Sequence, residues 1–551
     1  MSTSIWQILR LAAGPLSAVA ILVFTDLDPA NPLVTRTAAV AAWMALWWLT
    51  EAVPLAATAL LPLALFPALG VASGKSIAGA YINSTIFLFL GGFLLALAME
   101  RWQLHRRIAL RIIGAAGGRP DTLVLGFMLA AALLSMWISN TATAIMMLPM
   151  ALAILGRKAP GEETGAAAPR PADQAATDAS QSSSPARRIS PDGAAKSSGT
   201  PTPAGLSVCL LLGIAYAASI GGIATPVGTP PNLILMRVYD ASFPDAPPLS
   251  FGQWMLMGLP FAAVMLGIVW VALTKILYRR ELRQMPDLDA RTLNAERAAL
   301  GKMSREERMI QIVFVATAIL WCFRTDIQIG TLAIPGWSGL IPTGANIDDG
   351  TVAIAMTLLL FLIPVSPAGR AAHPESPTTI LDGRVFRQIP WSIVLLFGGG
   401  FALADGFVAG GLAEYLVGGF AGLGALPIIA VIALIACGMT FLTELTSNTA
   451  STQMVLPVLA VAAVAQQIHP LLFMLPATLA ASMAFMMPVA TPPNAIVFSS
   501  EVLRVADMAK TGLWLNFAGI LLVTAAVLWL ASAVFGFSVD QPPDWLPRPA
   551  P

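Results

Sequence analysis

Charged residues are scarce in this sequence. Only 11% of its 551 residues are Asp, Glu, Lys or Arg, and 57% are hydrophobic, whereas ordinary soluble domains carry about 25% charged residues. Apolar stretches of about 20 residues, the length that crosses a bilayer, recur from Leu11 to Phe535. A soluble globular protein is therefore excluded, and the composition predicts an all-α polytopic membrane protein embedded in the lipid bilayer.

Cysteine and histidine are also rare. The sequence has three of each: Cys209, Cys322, Cys437, His105, His373 and His469. Their spacing fits neither a metal site nor a disulfide framework. An intramembrane enzyme would need paired aspartates, a metal-binding motif or a nucleophile with its base, so we expect no enzymatic activity. No organic cofactor and no nucleic-acid partner are expected either.

The basic residues are concentrated in particular loops. Lysine and arginine mark loops that stay in the cytoplasm, which places 101–119, 157–204 and 279–308 inside. About eleven transmembrane helices plus two re-entrant hairpins satisfy this rule. The predicted amino terminus is then cytoplasmic and the carboxyl terminus outside, in the cytoplasmic (inner) membrane of the cell.

Residues 157–204 differ from the rest of the chain. They are mostly Ala, Ser, Pro and Gly with scattered charges, a composition that cannot bury enough apolar surface to fold alone. We interpret this segment as a disordered cytoplasmic linker.

Two motifs recur in a single register. Ser139-Asn140-Thr141 returns as Ser447-Asn448-Thr449, and Gly91-Gly92-Phe93 returns as Gly399-Gly400-Phe401, both 308 residues later (447 minus 139; 399 minus 91). A third pair, ending in Pro230-Pro231-Asn232 and Pro492-Pro493-Asn494, is 262 residues apart (494 minus 232). The deficit of 46 is close to the length of the linker, which indicates an insertion into the first of two repeats.

The two repeats are predicted to run in opposite directions through the membrane. They divide the chain into N-terminal scaffold spans (1–80), repeat 1 (81–250, with re-entrant hairpin 121–156 and broken helix 205–247), a span with a basic loop (251–308), further scaffold spans (309–389), repeat 2 (390–510, with re-entrant hairpin 425–466 and broken helix 470–507) and a last span with a tail (511–551).

Inverted repeats with broken helices at matching positions indicate an alternating-access transporter whose site lies near the midplane. Irregular backbone is tolerated at that depth only where protein or a water-filled cavity surrounds it. The proline pairs enforce such a break in the helix. Unwound carbonyls and hydroxyls suit an alkali cation, while helix amino termini suit an anion. No Lys or Arg lies in either Ser-Asn-Thr tip or either Pro-Pro loop. Because desolvating a dianion without a countercharge is costly, this absence favours cation coupling.

The motifs together resemble the divalent anion:sodium symporter family of the ion transporter superfamily. The resemblance rests on Trp-Trp-Leu-Thr-Glu-Ala-Val-Pro-Leu at 47–55, the two Ser-Asn-Thr tips and the two Thr-Pro-Pro-Asn loops. It implies a homodimer with a scaffold and an elevator-type transport domain, and C4-dicarboxylates, citrate or, in some branches, sulfate as substrate.

The resemblance also implies positions for the ligands. A first sodium is expected near Ser135, Ser139, Asn140 and Gly228. A second sodium is expected near Thr443, Thr446, Asn448 and Ala490. The substrate carboxylates are expected on Asn140, Thr141, Ser447, Asn448, Thr449 and Pro492.

The sequence thus predicts a sodium-coupled symporter of C4-dicarboxylates such as succinate, malate and fumarate, in which Na⁺ is the co-transported ion. A dicarboxylate exchanger of the same fold, and citrate or sulfate as substrate, stay open as alternatives. Glu444, inside the second hairpin, is interpreted either as a functional residue or as hydrogen-bonded support for the tip. Asp405 receives no role.

Overall fold

A computed structural model describes residues 5–155, 204–283, 291–329, 332–372, 378–419 and 426–547. All but the last residue of the predicted linker 157–204 lies outside the described residues. The described chain is almost entirely helical. A two-stranded antiparallel hairpin pairs β1 (Ile327–Ile329) with β2 (Leu332–Ile334).

The first half of the described chain forms helices that we number in chain order. They are α1 (Ile5–Phe24), α2 (Pro32–Thr50), α3 (Leu55–Thr58), α4 (Leu61–Ala68), α5 (Gly74–Tyr81), α6 (Ser84–Arg101), α7 (Leu104–Ala115), α8 (Pro120–Ser135), α9 (Asn140–Ile154), α10 (Ala204–Ile223), α11 (Pro230–Ser242), α12 (Phe251–Val271, continued by a π-helical segment Ala272–Leu277), α13 (Arg279–Arg283) and α14 (Arg291–Ala299).

The second half continues the numbering. Its helices are α15 (Arg305–Cys322), α16 (Asp349–Leu362), α17 (Pro367–Ala372), α18 (Trp391–Ala409), α19 (Leu412–Gly419), α20 (Ile428–Thr443), α21 (Asn448–Ala465), α22 (Leu471–Ala481), α23 (Pro492–Phe498), α24 (Val505–Ala525, continued by a π-helical segment Ala526–Ala531) and α25 (Ser532–Phe535). Short 3₁₀ turns lie at Trp337–Leu340, Gly344–Asn346 and Gly383–Arg387.

Seven helices of the described chain are long and apolar enough to cross a bilayer. They are Trp6–Phe24, Gly74–Arg101, Gly205–Ile223, Phe251–Leu277, Trp391–Ala409, Asn448–Ala465 and Val505–Phe535. Shorter apolar helices of 10–17 residues accompany them. The predicted all-α membrane class is confirmed, whereas the count of eleven crossings and the side on which each terminus lies stay predictions.

Each Ser-Asn-Thr motif separates two helices that turn back on each other. Hairpin 1 consists of α8 and α9, and hairpin 2 consists of α20 and α21. The second helix of each begins at the motif's asparagine. Ser139 caps α9 by accepting a hydrogen bond from the Ala142 amide at 3.2 Å, as serine at an N-cap commonly does. Ser447 makes no such capping bond.

Two glycines 308 residues apart allow close helix packing. A Cβ added to Gly91 would lie 2.5 Å from the Ala353 Cβ, so α6 and α16 approach closely at this point. A Cβ added to Gly399 would lie 2.3 Å from the Ala59 carbonyl oxygen, at the end of α3. Packing of this kind through small residues is usual between membrane helices.

Parts of the predicted helix pattern differ from the structure. Within the N-terminal segment 1–80, expected to form scaffold spans, α3 and α4 are two short helices that begin near Pro54 and Pro62. The basic stretch 101–119 contains the 12-residue helix α7. Arg107 on α7 donates to Glu307 Oε1 at 2.9 Å and to the carbonyl oxygen of Gly301 at 2.9 Å. This anchor fixes α7 against the amino terminus of α15.

Candidate functional site

A cavity of about 880 Å³ lies where the two hairpin tips meet the two Pro-Pro loops. Ten of the predicted site residues line it: Ser139, Asn140, Thr141, Gly228, Thr446, Ser447, Asn448, Thr449, Ala490 and Pro492. Segments more than 300 residues apart in the chain are therefore brought to one place. The volume is large enough for a small organic anion and accompanying water.

Two predicted sodium residues lie behind this lining. Ser135 and Thr443 have no exposed surface and do not line the cavity. Ser135 Oγ donates to Asn140 Oδ1 at 2.5 Å, so it contacts the tip of hairpin 1 directly. Thr443 Oγ1 instead donates to the Thr440 carbonyl at 3.0 Å. The two residues share a register in the repeats but have different partners.

Four helices begin at the cavity wall. They are α9, α11, α21 and α23, whose first residues Asn140, Pro230, Asn448 and Pro492 all line the cavity. The amino terminus of a helix carries a partial positive charge. Helices α9 and α21 also present unpaired backbone N–H groups there, whereas α11 and α23 begin with two prolines, which have no N–H. Helix termini arranged in this way favour an anion in the cavity, although the hairpin tips and Pro-Pro loops themselves contain no lysine or arginine.

The breaks in the two broken helices are held by asparagine. Asn232 Nδ2 donates to the carbonyls of Gly222 at 3.1 Å and Thr225 at 2.7 Å. Asn494 Nδ2 donates to Ala484 and Met487, both at 3.1 Å. Both pairs of acceptors obey the 262-residue register (484 minus 222; 487 minus 225). The motif asparagines therefore close the unwound loops, a role that sequence reasoning did not specify.

The side-chain oxygens of both asparagines are buried and accept no hydrogen bond from the described residues. The same is true of Asn448 Oδ1 at the tip of hairpin 2. A buried amide oxygen without a donor is costly unless something else binds it. Such oxygens are suitable ligands for a hard monovalent cation.

Repeat 1 is closely packed at Gly222 and Gly228. A Cβ on Gly228 would lie 2.5 Å from the Gly222 carbonyl oxygen, and a Cβ on Gly222 would lie 2.8 Å from Asn140 Oδ1. The loop backbone therefore lies against the tip of hairpin 1. In repeat 2 the corresponding positions are Ala484 and Ala490, whose methyl groups are accommodated.

The cavity wall also includes residues that sequence reasoning missed. Arg10 on α1 and Glu51 after α2 line it, and both are exposed. Trp137 adds an aromatic surface that stacks on Phe251 and Trp321. Nothing in the sequence links Arg10 to hairpin tips more than 120 residues away. The aromatic wall could have been suspected, because Trp137 lies two residues before the Ser-Asn-Thr motif.

Asp405 forms an ion pair with Arg237. The Arg237 Nη2 to Asp405 Oδ1 distance is 3.4 Å, and the guanidinium also lies 5.9 Å from the centre of the Phe401 ring. Asp405 belongs to α18 and Arg237 to α11, so the pair connects the second half of the first broken helix to the first helix of repeat 2. It does not line the cavity.

Comparison with known proteins identifies the family of the chain. A family model described as the sodium:sulfate symporter transmembrane region matches residues 7–535. The chain belongs to the sodium:sulfate symporter family. The resemblance inferred from the motifs is thereby confirmed, and the protein is a transporter and not an enzyme.

Individual members of the sodium:sulfate symporter family align along nearly the whole chain. A Staphylococcus saprophyticus protein named sodium-dependent dicarboxylate transporter SdcS is 37% identical over 544 residues, which cover 98% of this chain and 94% of the relative. A Staphylococcus aureus protein of the same name is 36% identical over 537 residues, covering 97% and 93%.

Two solved structures share the fold. The YdaH transporter of Alcanivorax borkumensis superposes with a TM-score of 0.54 at 13% identity, covering 90% of this chain and 98% of that one. MtrF of Neisseria gonorrhoeae superposes with a TM-score of 0.51 at 14% identity, covering 84% of each chain. At this identity the likeness concerns the fold alone.

Proposed function

We propose that this protein is a sodium-coupled symporter of C4-dicarboxylates such as succinate, malate and fumarate. The observation that carries the proposal is the cavity between the two hairpin tips, where four helix amino termini meet. The relatives at 36–37% identity are named sodium-dependent dicarboxylate transporters, which supports both the ion and the class of substrate.

The substrate carboxylates bind at the two Ser-Asn-Thr tips. One carboxylate lies on Asn140 and Thr141, the other on Ser447, Asn448 and Thr449, with Pro492 beside them. Hydroxyl and amide groups donate to the oxygens, and the amino termini of α9 and α21 stabilise the negative charge. Two tips that face one cavity from opposite repeats suit a molecule with a carboxylate at each end.

Sodium binds behind each tip. In repeat 1 the ligands come from Ser135, Ser139, Asn140 and Gly228, and in repeat 2 from Thr443, Thr446, Asn448 and Ala490. These groups are neutral oxygens, the ligand type that suits a hard cation. The bound cations offset part of the charge of the dianion and lower its desolvation penalty, which couples the two bindings.

Transport follows an elevator-type alternating-access cycle. The hairpins and broken helices carry the loaded site across the membrane against a scaffold formed by the other spans, in a homodimer in the cytoplasmic membrane. The amino terminus lies in the cytoplasm and the carboxyl terminus outside. The helical breaks support this scheme, since unwound backbone near the midplane is used in transporters to build such sites.

The test is uptake of radiolabelled succinate into proteoliposomes that contain the purified full-length protein. One set has an inward sodium gradient, a second has choline in place of sodium, and each is run with and without succinate inside. Uptake that needs the sodium gradient supports the symporter. Uptake driven by internal succinate alone, with no sodium dependence, contradicts it and indicates an exchanger. Competition by unlabelled citrate or sulfate stronger than by malate or fumarate contradicts the substrate assignment.

A further inference from the structure

Glu444 is a buried carboxylate at the tip of hairpin 2. The residue is 3% exposed. Its Oε1 accepts hydrogen bonds from the backbone amides of Phe485 at 2.8 Å and Met486 at 2.9 Å, and from Asn516 Nδ2 at 2.7 Å. Its Oε2 accepts from the Met487 amide at 3.0 Å. All four donors are neutral.

This hydrogen-bond pattern is that of an ionised carboxylate. An ionised carboxylate only accepts hydrogen bonds, with about four lone-pair positions, whereas a protonated one must also donate. Glu444 accepts three N–H groups on Oε1 and one on Oε2, and it donates no hydrogen bond to the described residues. The side chain therefore holds a negative charge inside the protein and fixes the loop at 485–487 to the hairpin.

Repeat 1 has no counterpart to this charge. In the 308-residue register Glu444 corresponds to Met136, and in the 262-residue register Met487 corresponds to Thr225. Thr225 Oγ1 donates to the Met136 carbonyl oxygen at 2.5 Å. Each repeat thus ties its broken-helix loop to its hairpin tip at the same position. The tie is a neutral hydrogen bond in repeat 1 and a carboxylate in repeat 2.

The two loops otherwise have matching geometry. The Gly228 amide donates to the Thr225 carbonyl at 3.3 Å, and the Ala490 amide donates to the Met487 carbonyl at 3.2 Å. The bonds made by Asn232 and Asn494 also correspond. The charge of Glu444 therefore distinguishes two loops whose backbone and asparagine hydrogen bonds are similar.

Glu444 lies beside the residues proposed for the second sodium. It follows Thr443 directly in the chain. It also holds the amide of Met487, whose carbonyl accepts from Ala490. By Coulomb's law at an effective dielectric constant of about 20, a unit charge changes the affinity of a cation roughly 10 Å from it on the order of tenfold. Repeat 1 receives no such contribution from its own tie.

We propose that Glu444 is a positioning residue that fixes the repeat 2 loop and makes the two cation sites unequal, with the repeat 2 site binding sodium more tightly. The inference rests on the proposed function, because it takes sodium as the ion and the two sets of residues as its sites. It adds an order of binding: sodium occupies repeat 2 first as its concentration rises.

The experiment measures sodium binding without any dicarboxylate. The thermal unfolding midpoint of the purified full-length protein is followed as sodium replaces choline at constant ionic strength, since a ligand of the folded state raises the midpoint. The proposal requires two phases for the wild-type protein, separated by about tenfold in sodium concentration. Glu444→Gln is similar in size but uncharged, and in this variant the low-concentration phase requires about tenfold more sodium. A single phase in the wild-type protein overturns the proposal.

The matched control changes the tie of repeat 1. Thr225→Val removes the neutral bond and leaves Glu444 intact, so only the high-concentration phase shifts. If Thr225→Val displaces the low-concentration phase as much as Glu444→Gln does, the assignment of the phases is wrong. A purely structural Glu444 would lower every unfolding midpoint by a similar amount and leave both sodium concentrations unchanged. That result also overturns the proposal.

A second variant covers the case in which Glu444→Gln does not fold. Glu444→Asp keeps the charge but withdraws it by one methylene from the loop amides. In this variant the first phase must require at least about threefold more sodium, and an unchanged phase contradicts the proposal.

Uptake assays distinguish a failure of this inference from a failure of the proposed function. Sodium-dependent uptake with an unaltered first phase in the Glu444 variants rejects this inference alone, whereas wild-type protein without sodium dependence rejects the proposed function as well.

Discussion

Asn232 and Asn494 stand at equivalent positions of the two repeats and form the same hydrogen bonds. Each side-chain amide reaches back ten residues and seven residues to two carbonyl oxygens that the helical break leaves without an intrahelical donor. One residue thereby satisfies two buried acceptors. These hydrogen bonds hold each break together beside the hairpin tips.

Replacing Asn494 by leucine is expected to damage both folding and transport. The carbonyl of Ala484 would lose the bond from Asn494, the carbonyl of Met487 would keep only the Ala490 amide, and an unsatisfied buried group costs roughly 1–3 kcal/mol. We expect a clear fall in the thermal unfolding midpoint and at least about a tenfold loss of uptake per folded protein. Asn346→Leu, on an exposed turn, is the control. Wild-type uptake by Asn494→Leu would show that the hydrogen bonds of Asn494 are dispensable for transport.

Gly228→Ala is expected to impair repeat 1 selectively. The added methyl group would lie 2.5 Å from the Gly222 carbonyl oxygen, so the loop must move away from the tip of hairpin 1. We expect the sodium concentration for half-maximal uptake to rise at least about fivefold, because a misplaced ligand weakens a coordination site. The control is Ala490→Gly at the equivalent position of repeat 2, where removing a methyl group creates no clash. An equal effect of both variants would contradict this reasoning.

Arg107→Met is expected to destabilise the protein strongly. The side chains of Arg107 and Glu307 are 10% and 5% exposed, and removing one partner of a buried pair costs about 3–5 kcal/mol because the other charge stays buried. Arg106→Met provides the comparison, since Arg106 pairs with Glu296 and both side chains are about one-third exposed. Exposed pairs of this kind contribute about 0–1 kcal/mol. The unfolding midpoint of Arg107→Met should therefore lie well below that of Arg106→Met. Similar midpoints would contradict the stabilising role of the Arg107–Glu307 pair.

Deleting residues 162–198 is expected to leave transport intact. This segment has the composition of a flexible linker, and the described residues on either side of it, Leu155 and Ala204, do not line the cavity. The prediction is checked by sodium-driven uptake in proteoliposomes, normalised to folded protein by size-exclusion chromatography. Loss of uptake in a variant that elutes as folded protein would assign the linker a function in the cycle.

Much of the site could be predicted because it depends on repeated local motifs. Ser-Asn-Thr and Pro-Pro-Asn specify a helix start and a helix break from the chemistry of a few adjacent residues. Their recurrence in two registers then indicates which segments belong together. The structure places Asn140 and Asn448 on one cavity, as that reasoning requires, while their roles as ligands stay a prediction.

Other features could not be read from the sequence because they depend on contacts between distant segments. Arg10 lines the cavity because α1 packs on α2, whose carboxyl-terminal end forms part of the cavity wall. The partner of Asp405 is Arg237, 168 residues earlier, and no local pattern identifies such a pair. Helix α7 was not predicted because a run of basic residues is also typical of a cytoplasmic loop. It becomes stable through tertiary bonds such as Arg107 to Glu307, and short helices generally require such support.

Under the proposed function, the four helix amino termini at the cavity and the side chains beside them have separate roles in selectivity. Attraction for negative charge would come from the starts of α9, α11, α21 and α23, so no single side-chain replacement would abolish it. Fit to the length and branching of a substrate would come from side chains such as Thr141, Thr449 and Pro492, which one mutation can change. We therefore expect evolutionary drift in this protein to alter which anion is carried much more readily than the preference for anions itself.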